Sequence, residues 1–376
     1  MKTKYWPEKG PGLDREAMRE ASGILRRGGV VAFPTETVYG LGADGLSPRA
    51  VRMIYEAKGR PADNPLILHL AGPEQLEWVA ADVSARTRLL VRTFWPGPLT
   101  LVLPKKDRVP SEVTAGLDTV AVRMPDHPLA LALIGQTGTP LAAPSANRSG
   151  YPSPTTAAHV LHDLDGRIDG ILDGGPCRIG LESTILDVTR EVPVILRPGA
   201  VTREALEQVL GAVAQDPGLD GYLRPDGPGT PRAPGLKYQH YAPEARVCLL
   251  SGTSEEMAGY VRERMRDADF LRENEPVGLL LTAETEQALR ETQGDMNFGY
   301  VRVLGSRGRL PEIGERLYDE LRRCDLEGVR TVFAEAYPVQ GVGAALMNRL
   351  TKASGQAPVE LKKELKRELK KELKEN

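Results

Sequence analysis

The chain has 376 residues, 41% hydrophobic and 27% charged, and a net charge of −2. That length exceeds one ordinary core and sets two domains as the prior, and a near-neutral balance excludes a global basic field for nucleic acid. No apolar run is long enough to span a bilayer, and Cys177, Cys248 and Cys324 form neither a CxxC pair nor a zinc spacing.

The N-terminus, MKTKYWPEKGPG, lacks the apolar core of a signal peptide, so a cytoplasmic chain is expected. Residues 14–27 carry Ala17, Met18, Ala21, Ile24 and Leu25 at helical spacing, and Gly28-Gly29 stops the helix. Residues 30–33 are a continuous apolar run, as in a sheet covered on both faces. Residues 33–42, FPTETVYGLG, are poor core material and read as a loop built to hold a ligand. Ser47-Pro48 starts a helix with Val51, Ile54 and Tyr55 on its buried face. Strands are predicted at 66–70, 99–103, 120–122, 141–143, 171–172, 184–188 and 194–196. Helices are predicted at 84–94, 128–134 and 155–164. This is a mixed α/β domain over 1–212.

Residues 213–245 are dense in proline and glycine and read as an extended linker, yet they carry Tyr238, His240 and Tyr241. Residues 246–355 alternate strands (247–250, 277–281, 300–303, 331–334) with helices (255–266, 284–291, 312–323, 344–352). Such succession predicts a small parallel sheet with right-handed crossovers. The tail, 356–376, holds LKKELKRELKKELKEN and reads as a solvated helix.

The chain has no GxxxxGK[ST], no GxGxxG after a strand, no HExxH and no GxSxG, and its five histidines are scattered. A metalloenzyme and a triad hydrolase are therefore disfavoured, and no protein metal cluster is predicted. What remains are polar segments at the ends of apolar runs: 34–37, Lys58-Gly59-Arg60-Pro61, Ala143-Pro144-Ser145-Ala146-Asn147, and 180–184, with Arg123 and Arg197 ending strands. Crevices at strand ends hold ligands in open α/β sheets, and two cations beside a glycine suit phosphate. Taken singly, each segment has a plainer reading. Lys58 and Arg60 could be helix-end cations, Ser145 and Asn147 a turn, His69 a core histidine, Arg123 a salt-bridge residue and Tyr241 a linker anchor. The residues alone support a cationic, hydroxyl-rich crevice for a phosphorylated ligand.

The combination is more specific. PTETVYGLGADG, KGRP followed by NPLILH, TVAVRMPDHP, APSANRSG and GLESTILDV occur in this order. The series closely resembles the YrdC-like threonylcarbamoyl-AMP synthases, and KYQHYAP with GVGAALMNRLTKAS resembles their longer, two-domain branch. The resemblance implies a twisted, open mixed-sheet YrdC-like domain and a smaller Rossmann-like parallel α/β C-terminal domain. It implies a reaction: L-threonine, bicarbonate and ATP give threonylcarbamoyl-AMP and pyrophosphate, for transfer to the tRNA adenosine beside the anticodon. It implies Lys58, Arg60, Ser145 and Asn147 as the catalytic tetrad. Thr35, His69, Arg123, Ser183 and the backbone at Ala143 would hold threonine. Lys58, Arg60, Asn64, Thr119, Ser145, Asn147, Ser153, Arg197 and Tyr241 would hold ATP with Mg²⁺, and the linker would fold over the crevice. Downstream threonylcarbamoyl-transfer proteins and a weak tRNA contact would be its partners. The rival readings are a double-stranded RNA-binding module and a hydrogenase-maturation carbamoyl-adenylating enzyme. The latter normally carries a zinc finger that three dispersed cysteines cannot build.

Overall fold

The computed structural model describes residues 2–8, 14–219, 231, 240–291 and 298–362. The chain divides into two units, Met1–Tyr238 and Gln239–Asn376. The strands of the first unit are β1 (Lys4–Trp6), β2 (Val31–Phe33), β3 (Gly40–Asp44), β4 (Ile67–His69), β5 (Leu99–Pro104), β6 (Thr119–Arg123), β7 (Leu141–Ala142), β8 (Gly170–Leu172), β9 (Thr184–Asp187), β10 (Val194–Arg197) and β11 (Ala214–Gln215). Among the described residues they form one mixed sheet in the order β1-β8-β2-β3-β7-β4-β6-β5-β9-β10-β11.

β2 is buried on both faces, as its unbroken apolar run requires. Val31 and Phe33 pack with Leu25, Leu133 and Leu141 under the helices Arg15–Arg26 and Pro128–Thr137. Val30 and Ala32 pack on the other side with Leu41, Val51, Ile54 and Leu68. The helix Pro48–Lys58 begins where Ser47 accepts a hydrogen bond from Ala50 N and Pro48 fits the first turn. It ends at Gly59, which takes the left-handed φ of 63° at no steric cost. Lys58 is therefore delivered at the last turn, toward β7.

The segment YGLG departs from the loop expected of it. Gly40–Asp44 is a strand, antiparallel to β2 in the register Phe33↔Gly40 and Val31↔Gly42. Its glycines make room for protein, not for a ligand. A Cβ on Gly42 would lie 2.7 Å from Phe33 Cε1, and one on Gly40 would lie 3.2 Å from Phe33 Cζ. Only residues 34–39 remain a loop at the crevice.

The second unit contains β12 (Arg246–Ser251), β13 (Val277–Thr282), β14 (Tyr300–Gly305), β15 (Thr331–Glu335) and β16 (Val359–Glu360). They form a parallel sheet in the order β14-β13-β15-β12-β16, as the alternating pattern predicts. The segment boundaries differ from expectation at both ends. Ala214–Gln215 pairs with β10 and belongs to the first sheet, not the linker. Val359–Glu360 pairs with β12 and Leu361 is buried, so the sheet continues into the segment read as tail. The helix Ala268–Asn274 is a further element that the pattern does not predict. Residues 220–230, 232–239 and 363–376, which include most of the linker and the tail helix, lie outside the described residues.

Candidate active site

Two groups of polar side chains gather on the first unit, joined by the strands between them. The first is organised by Lys58. Its ammonium is buried and donates to Ser145 O at 2.6 Å and to Asn147 O, with Asn147 Oδ1 at 3.5 Å. Ser145 Oγ donates to Asn147 Oδ1 at 2.6 Å, and Asn147 Nδ2 donates to Arg148 O and Tyr151 O. The turn at 143–147 follows β7 directly. It is seated against β3 by Leu41 N→Pro144 O and Ala146 N→Tyr39 O, and against β4 by Ala143 N→Ile67 O. Arg60 folds beside it, donating to Asn64 O at 3.2 Å and Pro65 O at 3.0 Å. The Asn64 amide is buried, and neither its oxygen nor its nitrogen has a hydrogen bond among the described residues. Buried amides without partners are rare enough to require an explanation, and a ligand contact supplies one.

The second group gathers around Arg123. β4 and β6 are parallel with His69↔Arg123 in register. Residues 119, 121 and 123 share a face of β6. The guanidinium is buried at 4% side-chain exposure, its Nη2 lies 2.6 Å from Glu36 Oε2, and its Nε donates to Gly97 O at 3.3 Å. Thr119 sits at the opposite end of β6, about 13 Å away at the strand rise, level with Pro65 by the register Ile67↔Ala121. The face between them includes Ile67 and Ala121, which pack with Ile185 and Leu196. Arg197, ending β10, donates to Ser183 O at 3.1 Å and Ser183 Oγ at 3.2 Å. Ser183 Oγ also meets Thr100 Oγ1 at 2.8 Å, and the neighbouring Ser153 donates to the Glu182 carboxylate.

Thr35 closes its own loop. Its hydroxyl donates to Val38 O at 2.6 Å and accepts from Thr37 N and Val38 N. His69 is neutral at physiological pH. Burial, and then the Arg123 charge, pull its pKa down to about 3, so in the neutral ring Nδ1 donates to Ile67 O at 3.2 Å. Cys177 offers no nucleophile, because burial pushes its thiol up to about 12. Tyr241 lies in the second unit, stacked on Tyr318 with ring centroids 5.6 Å apart and the Arg349 guanidinium 5.5 Å from its ring.

Comparison with known proteins shows the family. A family model described as "Telomere recombination" matches residues 23–199, and one described as "Threonylcarbamoyl-AMP synthase, C-terminal domain" matches residues 201–355. The chain is 47% identical over 359 residues to a threonylcarbamoyl-AMP synthase of Bacillus subtilis, covering 94% of this chain and 99% of that one. The chain belongs to the threonylcarbamoyl-AMP synthases. It is also 47% identical to the synthase of Pyrococcus abyssi over 91% of its own length and 95% of the relative's. The crystal structure of P. abyssi Sua5 complexed with L-threonine superposes with a TM-score of 0.85 at 43% identity, over 96% of this chain and 99% of that chain. The two-domain architecture expected from the motifs is shared with these two relatives, matched over 99% and 95% of their lengths.

Lys58, Ser145 and Asn147, separated in sequence, meet in one cluster, whereas Arg60 folds onto Asn64 and Pro65 and Ser183 pairs with Arg197. Sequence reasoning assigns no role to Glu36, Thr100 or Glu182. Each is brought in by strand register or loop closure, and only Glu36 carries a signal, a carboxylate set among threonines at the end of a buried strand.

Proposed function

We propose that the chain condenses L-threonine, bicarbonate and ATP to threonylcarbamoyl-AMP and pyrophosphate. The observation that carries this is the union of the Lys58–Ser145–Asn147 cluster with the Arg123–Ser183–Arg197 cluster on one sheet. The first suits a triphosphate, and in the second Arg123 suits an amino-acid carboxylate while Arg197 lies toward ATP. Threonine and bicarbonate combine to N-carboxythreonine with loss of water. A carboxylate oxygen then attacks the α-phosphorus of ATP, the bond to the β-phosphate oxygen breaks, and pyrophosphate leaves. Positioning and charge stabilisation carry such phosphoryl chemistry, so a site without a nucleophile is adequate.

In this reading Lys58 shapes the 143–147 turn and adds its charge, and Arg60 lies toward the phosphates. Asn64, Thr119, Ser145, Asn147, Ser153 and Arg197 contact ATP. Arg123 pairs the threonine carboxylate, with Thr35, His69, Ser183 and the Ala143 backbone around it. Tyr241 stays a proposed ATP contact on the strength of its motif alone. Among the described residues no group of three or more His, Cys, Asp or Glu side chains gathers to hold a metal. Mg²⁺ would accompany ATP, held mostly through its phosphates and water. No helix among the described residues is long and apolar enough to cross a membrane, and a cytoplasmic site of action with tRNA-modifying transfer proteins downstream fits the product.

The test is pyrophosphate release by the purified chain with L-threonine and bicarbonate supplied separately and together. Release that needs both supports the reading. Folded protein that releases none, yet binds RNA with steep salt dependence, would replace it with the binding-module reading.

A further inference from the structure

Among the described residues Glu36 is the buried carboxylate paired with Arg123, and its geometry is unusual for a structural ion pair. Its side chain is 1% exposed, and Oε2 lies 2.6 Å from Arg123 Nη2. Yet neither Glu36 oxygen, nor Arg123 Nη2, makes a directed hydrogen bond with any described residue. The charges are close, but the N–H vectors of Nη2 do not point at the carboxylate. Everything behind the two groups is fixed. Arg123 Nε is spent on Gly97 O. Glu36 O accepts Ile179 N at 2.8 Å, and Thr35 pins the 35–38 turn. Burying charge without directed bonds is costly where apolar residues would not be. Buried groups left in this way call for a missing partner. Here the unspent capacity is the Arg123 Nη2 amino group beside two carboxylate acceptors, which is the complement of a zwitterion.

We propose that Glu36 and Arg123 together form a clamp for a free α-amino acid, with Arg123 taking the carboxylate and Glu36 the α-amino group. This rests on the reading of Arg123 as the carboxylate partner. The clamp makes Glu36 the residue that demands an amine on the substrate. The ligand class is then a zwitterionic amino acid, and a hydroxy acid of the same size is rejected because it would leave the Glu36 carboxylate buried and unpaired. His127 lies within electrostatic reach of the same carboxylate, yet its buried Nδ1 makes no hydrogen bond to Glu36.

Isothermal titration of the full chain, without ATP, tests the clamp with three probes: L-threonine, (R)-3-hydroxybutyrate, which lacks the amine, and L-threoninol, which lacks the carboxylate. The wild-type chain should prefer threonine to hydroxybutyrate by about 30-fold, as one charged hydrogen bond requires. Glu36→Gln should bring that ratio to within about threefold by losing threonine affinity while hydroxybutyrate binding holds. A residue that merely supports the fold would lower both affinities together and keep the ratio, and that result would overturn the proposal. If Glu36→Gln does not fold, the wild-type ratio decides, since a value near one removes the clamp. Arg123→Gln probes the underlying reading separately. It should erase the preference for threonine over threoninol and keep the discrimination against hydroxybutyrate. An unchanged threoninol ratio would reject Arg123 as the carboxylate partner whatever Glu36 does.

Discussion

The Lys58 ammonium donates to Ser145 O at 2.6 Å across a sequence separation of 87 residues, tying the end of one helix to the turn after β7. The lysine is thus both the helix-end cation that its position suggests and the brace of the turn that carries Ser145 and Asn147. Lys58→Met leaves the carbonyls of Ser145 and Asn147 without this donor, costing about 1–3 kcal/mol of stability. Pyrophosphate release should fall by about 100-fold or more, the scale of losing a preorganised charge, with the ATP KM rising and the fold intact. Lys58→Arg should not restore activity, because a planar fork cannot converge on three acceptors in one turn. Unchanged turnover in either variant would put the lysine outside the reaction.

Tyr241 is buried and holds a φ of 68°, a left-handed conformation that a side chain adopts at a cost. Stacking on Tyr318 and contact with Arg349 offset that cost. Tyr241→Ala should therefore destabilise by about 3 kcal/mol. Tyr241→Gly should be more stable than the alanine variant by about 1 kcal/mol, reversing the usual order, because glycine accepts the positive φ. Urea denaturation of the full chain measures both, and an alanine variant at least as stable as the glycine one would reject the strain argument.

Much of this architecture is legible in the order of residues along the chain. The helix Pro48–Lys58 is announced by its Ser47 cap, its Pro48 and its Gly59 stop, and β12 to β15 by regular alternation with helices. Gly40–Asp44 is hidden because two glycines erase the strand signal, and their reason, the Phe33 ring, lies on the paired strand. Lys4–Trp6, Ala214–Gln215 and Val359–Glu360 are too short to show a period. The motif residues can be named from their spacing and succession. Thr100 cannot, because what makes it part of the site is which strand lies beside which, and Glu36, though inside the quoted PTET segment, meets Arg123 only once the 35–38 turn closes.

His69 supplies a pH test with a definite sign. Its pKa is about 3 in the folded chain against an ordinary 6.5. Between those values the unfolded chain binds a proton there and the folded chain does not. Stability is therefore fully present above the unfolded value and is lost as pH falls from 6.5 toward 3, by up to about 1.4 kcal/mol per pH unit from this group. The ring lies edge-on to Phe33 at 6.0 Å, so His69→Phe keeps an apolar occupant while removing the titration. Denaturation midpoints between about pH 4.5 and 7.5 should fall less steeply with acid in the variant. Parallel slopes would mean that the imidazole is protonated when folded.

The second unit contains its own buried charge, and its energetics can be separated from catalysis. Glu335, at the end of β15, has a side chain that is 0% exposed, and its carboxylate lies 3.2 Å from Arg307 Nε. It also accepts from Thr282 N at 2.6 Å and Thr282 Oγ1 at 2.9 Å, so the pair joins the carboxyl ends of β13 and β15. Removing the arginine alone leaves a buried carboxylate with only neutral donors. Arg307→Met should cost about 2 kcal/mol, less than a fully buried pair would lose, because the guanidinium is 30% exposed and water already screens it. Adding Glu335→Gln removes the stranded charge while the amide oxygen can still accept from Thr282. The double variant should therefore recover at least half of the loss, a positive coupling that only neighbours show. If the two losses simply add, the carboxylate is held by Thr282 and not by Arg307, and the pair is a bystander to the stability of the sheet.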